Sequence, residues 1–112
     1  MMVKVEVSSG ACGFHTVIKA VKEGKHRVKI EIISDCKSVE KLGELMALNG
    51  TLDLRDVLAK PKAGNPIFRE CAEVLPHAAC PVPIAIIKAA EVELGLAVPK
   101  PVYIQFKIGA EE

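Results

Sequence analysis

Four cysteines are the residues of this sequence most suited to chemistry. They are widely separated along the chain, at Cys12, Cys36, Cys71 and Cys80. Thiolates bind Zn²⁺ and iron–sulfur clusters, and an accessible thiolate attacks electrophiles. Because no Cys-x-x-Cys pair occurs, the spacing differs from that of zinc ribbons, zinc fingers and ferredoxins. A metal site would have to be assembled from separate segments of the chain.

Three of these cysteines stand where the local backbone favours a thiolate or a ligand. Cys36 and Cys80 are both predicted at helix N-termini, where free N–H groups and the helix dipole lower the pKa of a thiol. Cys12 lies close to Gly10 and Gly13, which let the backbone approach a ligand closely. We predict all three as metal ligands, and Cys80 as the nucleophile if the protein works through a reactive thiol.

Two residues are candidates for the fourth metal ligand. Cys71 falls on the apolar face of a predicted helix, a position that also suits a plain core residue. His77 lies three residues before Cys80, a spacing that lets one metal ion take both, and beside Pro76 it equally suits a cap of the preceding helix. The predicted cofactor is Zn²⁺ or an iron–sulfur cluster.

Alternating apolar residues predict the strands that would position this site. Strands are expected over residues 3–8, 14–20 and 28–32, the last two forming a hairpin around Gly24. A final strand is predicted over 102–108, after Pro99 and Pro101.

Capping residues and prolines predict four helices between the third strand and the last. The first is capped by Asp35 or Ser38 and ends near Gly50, and Asp53 caps a second, short one before a surface loop over 60–64.

The third helix starts at Asn65-Pro66 and stops at Pro76. The fourth has Cys80 as its N-cap and ends at Gly95. Its expected apolar stripe is Ile84, Ile87, Ala90 and Leu94.

This order of elements predicts a single α+β domain, residues 1–112. It consists of one largely antiparallel sheet of about four strands with helices packed on one face. In an up-down-up meander, the loop after the first strand and the exit of the third lie at the same end of the sheet. Cys12 and Cys36 would meet there, and a helix returning to that end would bring Cys71, His77 and Cys80. We therefore expect the cysteines to gather at one end of the sheet.

Composition narrows the classes of partner. The 15 Lys and Arg residues balance 14 Asp and Glu residues, and aromatic residues make up 4% of the chain, so nucleic-acid binding is not expected. With no apolar run of about 18 residues and no export signal, we expect a cytoplasmic protein without a membrane partner. The mean hydropathy of +0.28 suggests spare apolar surface, which favours a homo-oligomer or a protein partner.

The segments around the cysteines carry two resemblances. They read SGACGF over 9–14, ISDC over 33–36 and HAACPVP over 77–83. With them, the whole chain resembles a small uncharacterised family found mainly in methanogenic archaea and other anaerobes. That resemblance implies no established activity, but an anaerobic setting suits an oxygen-sensitive iron–sulfur site. Locally, Cys80-Pro81-Val82-Pro83 resembles the Cys-Pro-x-Pro motif of TusA-like sulfur carriers, which implies that Cys80 carries a persulfide.

Three functions remain open from the sequence. The first is a metal or iron–sulfur protein. The second is a thiol carrier or redox protein, in which Cys80 attacks and Cys12 or Cys36 resolves a disulfide. The third is a structural or interaction domain without chemistry. No nucleophile elbow, phosphate loop or carboxylate pair marks a hydrolase, and whether the protein is an enzyme stays open.

Overall fold

A four-stranded antiparallel sheet forms the frame of the protein. The computed structural model describes residues 2–59 and 64–109. The strands lie in the order β1-β2-β3-β4 across the sheet. Their bounds are Met2–Ser8 (β1), His15–Lys22 (β2), Arg27–Ser34 (β3) and Leu52–Asp53 (β4). A short 3-10 turn, Gly10–Cys12, lies between β1 and β2.

One face of the sheet forms one side of the hydrophobic core. In the register of the strands, Ile18 on β2 lies between Val5 and Ile32, and Ala20 lies between Val3 and Ile30. The side chains of Ile18 and Ala20 are fully buried, because β2 is an inner strand. The corresponding residues of β1 are only half-buried, because β1 is an edge strand with one open side.

Four helices of the described part of the chain cover that face. They are Lys37–Asn49 (α1), Leu54–Leu58 (α2), Pro66–Val74 (α3) and Val82–Glu93 (α4). Helix α1 packs mainly on β3, and α4 packs on β1 and β2. The predicted α+β class is confirmed, with a largely antiparallel sheet and helices on one face. None of the helices within the described ranges is long and apolar enough to cross a membrane.

Two predicted helix caps are confirmed. The carboxylate of Asp53 accepts the backbone N–H of Arg55, which, together with the side chain of Arg55, holds the pKa of Asp53 below its usual value. Asn65 is only 1% exposed, yet its amide is satisfied. Its oxygen accepts the N–H of Ile67 at 2.8 Å, and its NH₂ group donates to the carbonyl of Ala59 at 3.2 Å.

The fourth strand comes from a different segment than the sequence suggested. It is Leu52–Asp53, held against β3 by the pairing of Asp53 with Arg27 and by a hydrogen bond from Arg27 to Thr51. Residues 102–108 carry a strand-like pattern but pair with no strand of the described structure. Alternation specifies an extended chain with an apolar face, but it does not specify a partner. The loop predicted over 60–64 lies, except for Gly64, outside the described residues.

Helix α4 also differs from its prediction. Pro81 is its N-cap, so Cys80 lies one residue before the cap. The predicted stripe is only partly right, because Ala90 is fully buried and Ile87 and Leu94 pack half-buried against the core, whereas Ile84 is exposed. Because α4 is apolar around most of its circumference, hydropathy does not fix its rotation. The residues that it buries are Val82, Pro83, Ala85, Ile86, Ala89, Ala90 and Glu93.

Candidate thiol site

Cys12 lies in a tight loop at the end of the sheet where β1 ends and β2 begins. The loop is closed by a hydrogen bond from the Gly13 N–H to the Gly10 carbonyl at 2.8 Å. Gly10 and Gly13 both have positive φ angles, 78° and 74°, which an L side chain rarely adopts. The Cys12 thiol is exposed, with its Sγ 4.0 Å from the carbonyl of Ser9. The loop therefore presents this thiol at the surface.

Cys36 lies at the same end of the sheet, directly after β3. It is the N-cap of α1, and its side chain makes no capping hydrogen bond. The Cys36 N–H donates to Ser34 Oγ at 3.1 Å. Asp35, one of the two predicted caps, instead accepts the His15 N–H at 2.8 Å and so ties β3 to the start of β2. No local pattern predicts this contact, because the two residues are 20 positions apart in the sequence.

Cys80 is half-buried beside the start of α4. Its N–H donates to the His77 carbonyl at 3.3 Å. Burial raises the pKa of the Cys80 thiol, and the charges of Cys36 and Cys12 raise it further, whereas the Val82 N–H acts to lower it. The prediction that the helix N-terminus leaves Cys80 with a lowered pKa is therefore wrong, because the loss of solvation outweighs that hydrogen bond.

Cys71 lies on the inner side of α3. It is 3% exposed and belongs to the hydrophobic core. Burial raises the pKa of its thiol to about 12, with smaller contributions from Glu70 and from Cys80. Cys71 is therefore a core residue, and it lies near enough to Cys80 for that thiol to raise its pKa. His77, the other candidate for the fourth ligand, is exposed.

Cys80 links the other three thiols. The charges of Cys12 and Cys36 act on Cys80, and the charge of Cys80 acts on Cys71. Within residues 2–59 and 64–109, however, no three Cys, His, Asp or Glu side chains are arranged so that they would hold a metal ion as they stand. A shared metal would require the side chains to rotate toward one another.

Two surface hollows have no cysteine in their lining. One is lined by residues that include Met46, Leu52 and Glu70. The other is lined by residues that include Phe68, Ile87 and Glu91. Because no cysteine lines either hollow, neither extends the thiol group into a substrate pocket.

Comparison with known protein families gives a match over most of the chain. The model of a family of unknown function, DUF6951, matches residues 3–106. No curated protein matches the chain. No solved structure matches it either. The function must therefore be inferred from the residues themselves.

Proposed function

The chain belongs to DUF6951, a family of unknown function, and from its own residues we propose that it binds a metal ion or an iron–sulfur cluster through cysteine thiolates. The ligands are Cys12, Cys36 and Cys80, with Cys71 as the fourth. The observation that supports the proposal is that β1 and β3 bring Cys12 and Cys36 to the same end of the sheet, beside the His15 end of β2, and that Cys80 is near enough to both for them to raise its pKa.

The charges of these thiols explain why a cation suits the group. Burial, and to a smaller extent repulsion by a neighbouring thiolate, raises the pKa of Cys71 and of Cys80, so without metal their protonated forms are favoured. A bound cation removes this repulsion and displaces the protons. Metal affinity should therefore increase with pH. Four thiolates suit tetrahedral Zn²⁺ or an iron–sulfur cluster.

Cys71 is preferred to His77 as the fourth ligand for two reasons. The ionisation of Cys71 responds to Cys80, which requires the two thiols to be near each other. His77 is exposed, and its hydrogen bond with Cys80 uses its backbone carbonyl. Cys12, in contrast to Cys71, has its side chain on an exposed turn.

Metal content of anaerobically purified protein tests the proposal. We expect roughly one Zn²⁺ or one cluster per chain, with thiolate-to-metal absorption in the ultraviolet or visible range. Cys12→Ser, Cys36→Ser and Cys80→Ser should each reduce the bound metal, and Cys71→Ala should do the same. His77→Ala is the matched control and should retain it. A chain that stays metal-free after anaerobic reconstitution, with every thiol titratable, would contradict the proposal.

A reactive thiol at Cys80 is the second candidate function. It is supported by the Val82 N–H, which stabilises a Cys80 thiolate within the Cys-Pro-x-Pro sequence. It ranks second because the raised pKa keeps Cys80 protonated near neutral pH. The rate of alkylation of metal-free protein separates the two functions. Carrier chemistry requires Cys80 to react faster than a model thiol at pH 7, whereas a metal ligand with a raised pKa should react more slowly.

A further inference from the structure

The C-terminal segment, residues 102–108, has the pattern of a strand and no partner within the described structure. Val102, Ile104, Phe106 and Ile108 alternate with Tyr103, Gln105 and Lys107. Ile104 is 79% exposed, Phe106 is 86% exposed and Ile108 is 94% exposed. An isolated extended segment with this much apolar surface is not stable against association in water.

The sheet offers a free edge of the same length. β1 is an outer strand of seven residues, so alternate backbone N–H and C=O groups along its open side are unpaired by the sheet. At the opposite edge β4 pairs only with Arg27 and Val28, and beyond it β3 offers a shorter open stretch of six residues, 29–34. On β1, the core-facing side chains of Val3, Val5 and Val7 are half-buried, so a further strand beside them would complete their burial.

We propose that residues 102–108 of one copy of the chain pair with β1 of a second copy, and that the exchange is reciprocal in a two-fold dimer. Pairing satisfies the open backbone groups of β1. It also places the apolar side chains of residues 102–108, which occur at every second position, beside the row formed by Val3, Val5 and Val7. The polar Gln105 and Lys107 then lie on the solvent face with Lys4 and Glu6. Because each copy donates one segment and accepts one, the assembly is a closed two-fold dimer, the symmetry of most homo-oligomers.

The path of the chain favours a second copy over the chain's own sheet. Helix α4 is fixed at its C-terminal end, where Glu93 Oε2 accepts the Lys22 N–H at 2.9 Å. Pro99 and Pro101 then restrict the connection to extended backbone. All residues of 95–109 are exposed, and the molecule measures 50 × 29 × 26 Å. The segment therefore lies clear of its own core, where a second molecule can take it up. This inference does not depend on metal binding.

Two substitutions in the segment test the exchange. Ile104→Asp puts a charge on the face that would contact the core, and its matched control, Gln105→Asp, puts the same charge on the neighbouring solvent-facing position. Both residues are exposed in the single chain, so neither change should affect its folding. Analytical ultracentrifugation from roughly 1 to 100 µM measures the dimer, and hydrogen exchange measures protection of the amides of residues 102–108.

We expect the unsubstituted chain to form a dimer whose 102–108 amides are protected and lose protection on dilution. Ile104→Asp should weaken the dimer by about 100-fold or more, while Gln105→Asp should change it little. Three results would overturn the proposal. They are a monomer with unprotected amides, a monomer with protected amides (the segment then pairs with its own sheet), and a dimer that Ile104→Asp leaves intact or that both variants weaken equally.

Discussion

Burial of the Cys71 thiol gives it a measurable effect on stability. In the folded chain its pKa is raised to about 12, against an ordinary value of 9.0. Because the folded pKa lies above the unfolded one, the contribution to stability is complete below pH 9. It declines as the pH rises, since only the unfolded chain then releases the proton. The loss is at most about 1.4 kcal/mol per pH unit for one group.

Urea unfolding of the reduced, metal-free protein between about pH 8 and 10.5 checks this prediction. The free energy of unfolding should fall more steeply above pH 9 for the unsubstituted chain than for Cys71→Ala. The variant should be less stable at pH 8, by about 1–3 kcal/mol, because it loses buried contacts. Parallel curves for the two proteins would mean that Cys71 ionises normally in the folded state.

At the residue scale, local sequence signals predicted the helix caps Asp53 and Asn65, but they could not predict contacts between residues far apart in the sequence. Asp53 and Asn65 cap their helices because each accepts the N–H of a residue two positions ahead. Asp35 could cap a helix in the same way, but its carboxylate instead accepts a hydrogen bond from the His15 N–H. The pKa of Cys80 follows the same logic. The sequence predicts the helix start but not the burial that outweighs it.

Among the elements, α1 makes its closest approach to the sheet at Gly43. A Cβ atom at this position would lie 3.1 Å from the Cβ of Ile32 and 3.3 Å from its backbone oxygen. Ile32 is paired with Ile18 of β2 and packs against the core, so its backbone has little freedom to move. We expect the steric cost to exceed the gain in helix propensity of about 1 kcal/mol from replacing glycine.

Gly43→Ala should therefore destabilise the protein by about 1 kcal/mol, measured by urea unfolding. Glu44 is exposed on the same helix and supplies the control. The difference between Glu44→Ala and Glu44→Gly gives the propensity gain without any contact with the sheet. If Gly43→Ala stabilises the protein by as much as that difference, α1 can shift away from β3 at no cost.

The elements themselves differ in how completely the sequence specifies them. Alternation gives β1, β2 and β3, because each has one apolar face. It also marks residues 102–108, but the pattern names no partner and β4 forms elsewhere. Helix α4 shows the opposite problem. Its ends follow from proline and glycine, whereas its rotation depends on packing against β1 and β2.

At the scale of the whole molecule, α4 runs from the thiol group to the point where the C-terminal segment departs. Its first turn lies near the thiols, since Cys80 is influenced by Cys12 and Cys36. Its last turn is anchored to Lys22 at the other end of the sheet, where the C-terminal segment departs. A helix of 12 residues spans about 18 Å. The dimer contact also runs along β1 as far as Val7, towards the Cys12 loop, but it shares no residue with the thiol group, and substitutions without shared partners usually behave additively.

Metal binding and dimer formation should therefore be independent. We expect Cys80→Ser to reduce the Zn²⁺ affinity while leaving the dimer dissociation constant within about 2-fold. Ile104→Asp should do the reverse. Competition with a chromophoric chelator and analytical ultracentrifugation of both variants provide the two measurements. Removing the metal should also lower the Tm equally in the unsubstituted chain and in Ile104→Asp, because the metal acts on the thiol segments within one chain. A change of about 10-fold or more in the property expected to stay constant would show that α4 couples the two sites.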